Sequence, residues 1–107
     1  MVIQRFDVFR NESPNTSRRF PYFLVVQSDL LSDLATSVVV PLGKPAVVGG
    51  KLASALTPQL NIGAASYVMY TPELGTVPAA ALRRREMNIE SQRDAIRRAL
   101  DFLFSGI

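Results

Sequence analysis

The most constraining stretch of the chain is Tyr22 to Gln27, Y-F-L-V-V-Q, which is apolar in nearly every position. Successive strand residues point to opposite faces, so a strand of this composition must be covered above and below. It predicts an interior strand. Val2 to Arg10 (V-I-Q-R-F-D-V-F-R) predicts a neighbouring strand from its β-branched and aromatic residues, although neither alternating set is uniformly polar. The polar, turn-rich Asn11 to Arg19 between the two runs predicts an antiparallel pair.

Thr36 to Leu42 reads as a third strand, with Pro41 marking an edge or a strand end. Lys44 to Leu56 is mixed: Val47-Val48 suits a short strand, Gly49-Gly50 a turn, and Lys51 to Leu56 a turn of helix closed by Pro58. Gln59 to Ile62 and Ser66 to Thr71 predict a hairpin with Gly63 in its turn. Pro72 to Gly75 is a further turn, and Thr76 to Leu82 a last strand interrupted by Pro78. Arg83 to Glu86 reads as a charged connection.

The C-terminal stretch from Asn88 predicts the main helix. Ile89, Ile96, Leu100, Leu103 and Ile107 recur at helical spacing, while Arg93, Asp94, Arg97, Arg98 and Asp101 fall mostly on the other face. Ser91 with Asp94 forms a capping-box-like start, and Asn88 is a rival N-cap. A chain ending directly on this helix is expected to use that end. Phe102, Leu103 and Phe104 are consecutive, and a helix cannot bury three neighbours against one surface. At least one must face outward, a candidate homodimer seam. Leu30-Leu31, inside the polar connection Ser28 to Ala35, reads by itself as a fold-back into the core. Short strands, frequent turns and one C-terminal helix predict a mainly β domain spanning residues 1–107. Its expected form is a strongly curved antiparallel sheet or barrel with the helix packed on it.

Cysteine and histidine are both absent from the 107 residues. That removes disulfides, Cys/His metal sites and every histidine-activated nucleophile, and no cofactor or metal is expected. Glycines form no phosphate-binding fingerprint, and Glu12, Asp29 and Asp33 show no paired-carboxylate arrangement. Twelve basic residues against nine acidic ones allow an anionic partner without demanding one. Arg83-Arg84-Arg85 and Arg93, Arg97 and Arg98 read as solvated faces. No signal-peptide pattern opens the chain and no apolar run is long enough for a membrane span, so a soluble cytoplasmic protein is expected.

A resemblance extends this reading. Val25-Val26-Gln27-Ser28-Asp29-Leu30-Leu31, Val39-Val40-Pro41-Leu42, Leu60-Asn61-Ile62-Gly63, Thr76-Val77-Pro78 and Phe104-Ser105-Gly106-Ile107 fall in the order and spacing of the CcdB toxins. The match runs from about Phe6 to the last residue. It implies an SH3-like curved sheet with a C-terminal helix, shared with the MazF ribonucleases, and a homodimer. It also implies binding and poisoning of the DNA gyrase A subunit without catalysis, and neutralisation by a CcdA-like antitoxin, with operator DNA reached only through that antitoxin. The gyrase-facing residues it implies are Leu30, Leu31, Asp101, Phe104, Ser105, Gly106 and Ile107. Ser105 stands where the family pattern has a Trp stacking on a gyrase Arg, and Asp101 where an Asn is familiar. A lost cation–π contact of about 1–2 kcal/mol corresponds to about fivefold to thirtyfold in affinity.

Two alternatives share the fold. Arg19-Phe20-Pro21, the Leu24 to Asp29 run and Thr36 loosely resemble the MazF endoribonucleases, although Arg19 lies one residue too far from Pro21 and their Gly-Asp strand start is missing. A decayed toxin that still binds antitoxin but is inert against gyrase is the other.

Overall fold

A computed structural model describes residues 2–45 and 51–106. Among them, seven strands form one antiparallel sheet: β1 (Asp7–Arg10), β2 (Tyr22–Val25), β3 (Thr36–Gly43), β4 (Gln59–Ile62), β5 (Ala65–Met69), β6 (Gly75–Pro78) and β7 (Arg85–Asn88). The spatial path is β4-β5-β3-β2-β1-β7, with β6 attached to β3 alone. Two α-helices, α1 (Lys51–Leu56) and α2 (Arg93–Ser105), complete the described fold. This is the mainly β, curled antiparallel architecture with a C-terminal helix that the sequence predicts.

The run Tyr22 to Gln27 behaves as its composition demands. β2 lies between β1 and β3, with Leu24 opposite Val8 and Val40, and Val25 opposite Val39. Leu24, Val8 and Val40 belong to one apolar cluster, which Ile89, Ile96 and Ala99 cover. Val25 and Val39 face the other way, into a second cluster with Phe9 and Leu82, against which Ile3, Phe23 and Val77 pack. Two half-cores on opposite faces of one strand explain why almost no polar residue is tolerated there. Each fully buried aliphatic side chain contributes about 1.5–3 kcal/mol of transfer free energy.

Pro41 does not mark an edge. Over Thr36–Val39, β3 pairs with β6 on one side; over Leu42–Gly43 that side pairs with β5. The switch falls at Val40-Pro41, while Pro41 faces Phe23 of β2 on the opposite side. A proline has no N–H to leave unpaired at such a junction, and its carbonyl accepts from Tyr70 N–H at 3.0 Å. The hairpin β4–β5 follows the expected plan, with Ile62 opposite Ala65 and Gly63 left-handed at φ +64°.

Three further expectations are corrected. The first strand begins at Asp7 instead of Val2, because Phe6 is left-handed at φ +73° and breaks the extended run. Its ring is buried, its N–H donates to Val25 O at 2.8 Å and its carbonyl accepts from Ile89 N–H at 2.9 Å, so surrounding structure holds the unfavourable dihedral. Arg85–Asn88 is an edge strand on β1 and not a connection, with a register shift between Val8 and Phe9. The helix α2 starts at Arg93, after a 3-10 turn at Glu90–Gln92, and neither Ser91 nor Asn88 caps it. Asn88 Oδ1 instead accepts from Glu90 N–H at 3.0 Å, which starts the 3-10 turn. Lys51 to Leu56 is helical as read. Val47 to Gly50 lie outside the described residues.

Candidate functional site

α2 presents its buried face through Ile96 and Ala99, with Leu100 packed against the same core. At 100° per residue, Arg97, Asp101 and Phe104 fall on a neighbouring stripe turned away from that face. Phe104 is 71% exposed, and Asp101, Ser105 and Gly106 are exposed with it. Phe102 and Leu103 are half-buried. The surplus of three consecutive apolar residues is thus resolved by putting Phe104 into solvent. Gly106 is left-handed at φ +74° and donates its N–H to Phe102 O at 3.0 Å, closing the helix. A Cβ on Gly106 would meet nothing within 4 Å in this chain. Ile107 lies outside the described residues.

Leu30 and Leu31 are not core. They occupy a 3-10 turn, Asp29–Leu31, where Leu30 is 94% and Leu31 46% exposed. The polar residues before them turn toward the backbone. Ser28 Oγ accepts from Leu30 N–H at 3.2 Å, and Asp29 Oδ1 accepts from Arg5 N–H at 2.6 Å. Gln27 Oε1 accepts from Val38 N–H at 3.1 Å, while its Nε2 donates to Leu31 O at 3.0 Å and to Thr36 O at 3.4 Å. Leu34, next along this connection, is also half in water. The turn and the helix end sit on separate elements, since α2 packs mainly on α1 and on the Thr71–Glu73 and Glu90–Gln92 turns.

Asp7 carries a network that sequence reasoning missed. It is almost fully buried, yet its carboxylate accepts from Gln4 N–H at 2.8 Å and Asn88 Nδ2 at 3.0 Å, and pairs with Arg85 Nη2 at 2.9 Å. Arg85 also donates to Val2 O. Gln4, Arg5, Phe6, Ser28, Asp29, Asn88 and Glu90 line an open polar cleft beside this network. Arg5 Nε is buried without a hydrogen-bond partner, and its guanidinium lies 4.8 Å from the Phe6 ring centroid. The signal for the network in the sequence is slight: Asp7 stands between the apolar residues Phe6 and Val8.

The remaining charges are mostly spread over the surface. Arg83, Arg84, Arg93, Arg97 and Arg98 are exposed, as solvated faces require. Arg10 pairs with Glu86 at 3.0 Å, and the hydrogen bond to that carboxylate raises its already high pKa. Desolvation, followed by the Glu86 charge, pushes the Tyr22 phenol up from its ordinary value. Among the described residues no three Asp or Glu side chains gather into a metal-sized cluster, and no helix is long and apolar enough to cross a membrane.

Arg19 and Thr36, the pair suggested by the ribonuclease resemblance, do not converge within the chain. The Arg19 carbonyl lies against Gly43, so close that a Cβ there would stand 2.8 Å away. Gly43 and Thr36 are opposite ends of β3, which at the usual rise per residue is a separation of roughly 20 Å. The Arg19 side chain instead lies over the Phe20 ring at 4.7 Å and approaches Glu73 at 3.7 Å.

The family model described as CcdB protein matches residues 5–106 of this chain. Among solved structures, an "Endoribonuclease from Mycobacterial species" is similar to it at a TM-score of 0.68 and 14% identity, over 94% of this chain and 89% of that one. At that identity the likeness concerns the fold.

Proposed function

This chain belongs to the CcdB family, the toxins of toxin–antitoxin pairs, and we propose that it acts as a non-catalytic inhibitor of the DNA gyrase A subunit. The observation that carries the proposal is the outward presentation of Phe104 at the end of α2, with Leu30 and Leu31 bare on a separate turn. A large aromatic held in water at a helix end, and two adjacent leucines exposed on one turn, are the kind of apolar groups that a partner surface uses. Two copies of the chain, related as in the family, would offer two such helix ends to a gyrase A dimer. A CcdA-like antitoxin is the proposed neutralising partner.

Phe104, Ser105, Gly106 and Ile107 are the proposed wedge, with Asp101 on its flank and Leu30 and Leu31 as a second contact. Ser105 supplies no aromatic ring, so affinity rests on the apolar contacts. The separation of the two residues supports this reading over a ribonuclease: the Arg19 carbonyl lies against Gly43, at the far end of β3 from Thr36. The test is a gyrase supercoiling and DNA-cleavage assay run beside an RNA-cleavage assay. Inhibited supercoiling or accumulated cleaved DNA, with RNA intact, supports the reading. Deletion of Ser105 to Ile107 should abolish that inhibition while leaving the sheet folded. RNA cleavage that is lost on Arg19→Ala would replace the gyrase reading with a ribonuclease.

A further inference from the structure

Leu30 and Leu31 are held in a position that their own chemistry disfavours. A turn with Leu30 in water and Leu31 half exposed gains little from burial, so the hydrophobic effect that orders the rest of the chain does little to order this one. Polar bonds must do it, and the segment is arranged inside out. Gln27, Ser28 and Asp29 direct their side chains to the backbone while the leucines face water. Of the three, Ser28 acts only within the turn, and Asp29 reaches the Arg5 amide on the N-terminal segment. Gln27 alone of the three ties the turn to β3.

It does so at the point where the β2–β3 ladder ends. Val26 N–H still donates to Val38 O at 3.1 Å, but Val38 N–H is received by Gln27 Oε1 and not by a backbone carbonyl. The same amide then donates from Nε2 to Leu31 O and Thr36 O. Leu31 O also accepts from Leu34 N–H at 3.1 Å, so both its lone pairs are used. One side chain thus clamps both ends of the loop from Leu31 to Thr36 and fixes the leucines relative to β3.

We propose that Gln27 is a positioning residue for the Leu30–Leu31 surface, ordering the turn in the free protein so that a partner meets two leucines already in place. The partner half of this inference rests on the gyrase reading above; the ordering half does not. Preordered contacts act mainly on the dissociation rate.

Gln27→Glu tests it, because the carboxylate keeps an acceptor for Val38 N–H and loses both donor bonds. In 15N relaxation, the Leu30 and Leu31 amides should fall from order parameters near 0.85 toward about 0.6, while Leu24 and Ile96 stay rigid. Dissociation from a gyrase A dimerisation-domain fragment should quicken about tenfold with little change in association rate. In a Leu30→Ala, Leu31→Ala background the same substitution should change dissociation no further. Unaltered order parameters, or an equal rate change with and without the leucines, would overturn the proposal. If the parent protein does not bind the fragment, the gyrase reading fails while the relaxation data still decide the role of Gln27. Should Gln27→Glu not fold, Gln27→Met, uncharged and of similar length, carries the same measurements.

Discussion

Gln92 grips Asn61 through the backbone on both sides: its Oε1 accepts from Asn61 N–H and its Nε2 donates to Asn61 O, each at 2.8 Å. Asn61 lies on β4, the outermost strand at that end of the sheet. The side-chain amide therefore plays the part of a further strand for one residue. It also anchors the turn that leads into α2, adding a polar link to the apolar packing of Leu60 and Ile62 with Ile96.

Gln92→Leu keeps the volume and removes both bonds. Two neutral hydrogen bonds at a partly exposed site are worth about 1–2 kcal/mol together. The urea midpoint should fall accordingly with an unchanged slope. Gln92→Asn, one methylene shorter, should not restore it.

Arg85 balances the buried carboxylate of Asp7. Because Arg85 is one-third exposed, its removal should cost about 1–3 kcal/mol, below the range for a fully buried pair. Chemical denaturation of Arg85→Ala and of the double variant with Asp7→Asn checks this. The double variant should be more stable than the two single losses added together, since the neutral amide no longer needs the cation.

Phe104 and Ile96 separate binding from folding. Phe104→Ala should leave stability within about 0.5 kcal/mol while weakening gyrase binding tenfold or more, a hot-spot effect. Ile96→Ala, at a fully buried position, should cost about 2–5 kcal/mol. Calorimetry of binding and thermal melts on the two variants give opposite patterns if the helix end is an interface.

Gly106→Ala should destabilise the chain by about 1 kcal/mol, because the αL cap penalises a Cβ through backbone strain and not through collision. A thermal melt measures this. A loss of partner binding larger than the stability change would assign Gly106 a contact role as well.

Tyr22 sets an alkaline limit. Its phenol is raised by desolvation and by Glu86, so above the ordinary tyrosine value the unfolded chain loses its proton first. The unfolded state then holds fewer protons than the native one, and stability falls as pH rises from about 10 toward the folded pKa. Tyr22→Phe should flatten this part of the pH–stability curve and leave neutral pH behaviour little changed.

Elements whose order comes from burial were legible in the sequence. β2, β3, the β4–β5 hairpin and the face of α2 all follow from where apolar residues recur. β7 was not, because R-E-M-N carries no alternation and its place comes from pairing with β1. The left-handed Phe6 likewise has no local signature, since a bulky aromatic is among the last residues expected at positive φ. At the candidate site, Phe104 was legible from a steric count of three neighbours. Leu30-Leu31 was misassigned from composition to the core, because apolar residues default to the interior unless polar neighbours outcompete them. The amides of Gln27 and Gln92, which bond the backbone far along the chain, leave no trace in any periodicity.

Pro41 has a consequence for how water enters the protein. By letting β3 change partners from β6 to β5, it leaves β6 attached along one edge only. The Gly75–Ala81 segment can then detach without disturbing the main path of the sheet. Amide hydrogen exchange should accordingly be fast at Val77 and slow at Leu24. The cluster of Phe9, Val25, Val39 and Leu82, on the face opposite Ile96, should then be the half of the core that hydrates first. The α2 side should stay protected until the whole domain unfolds.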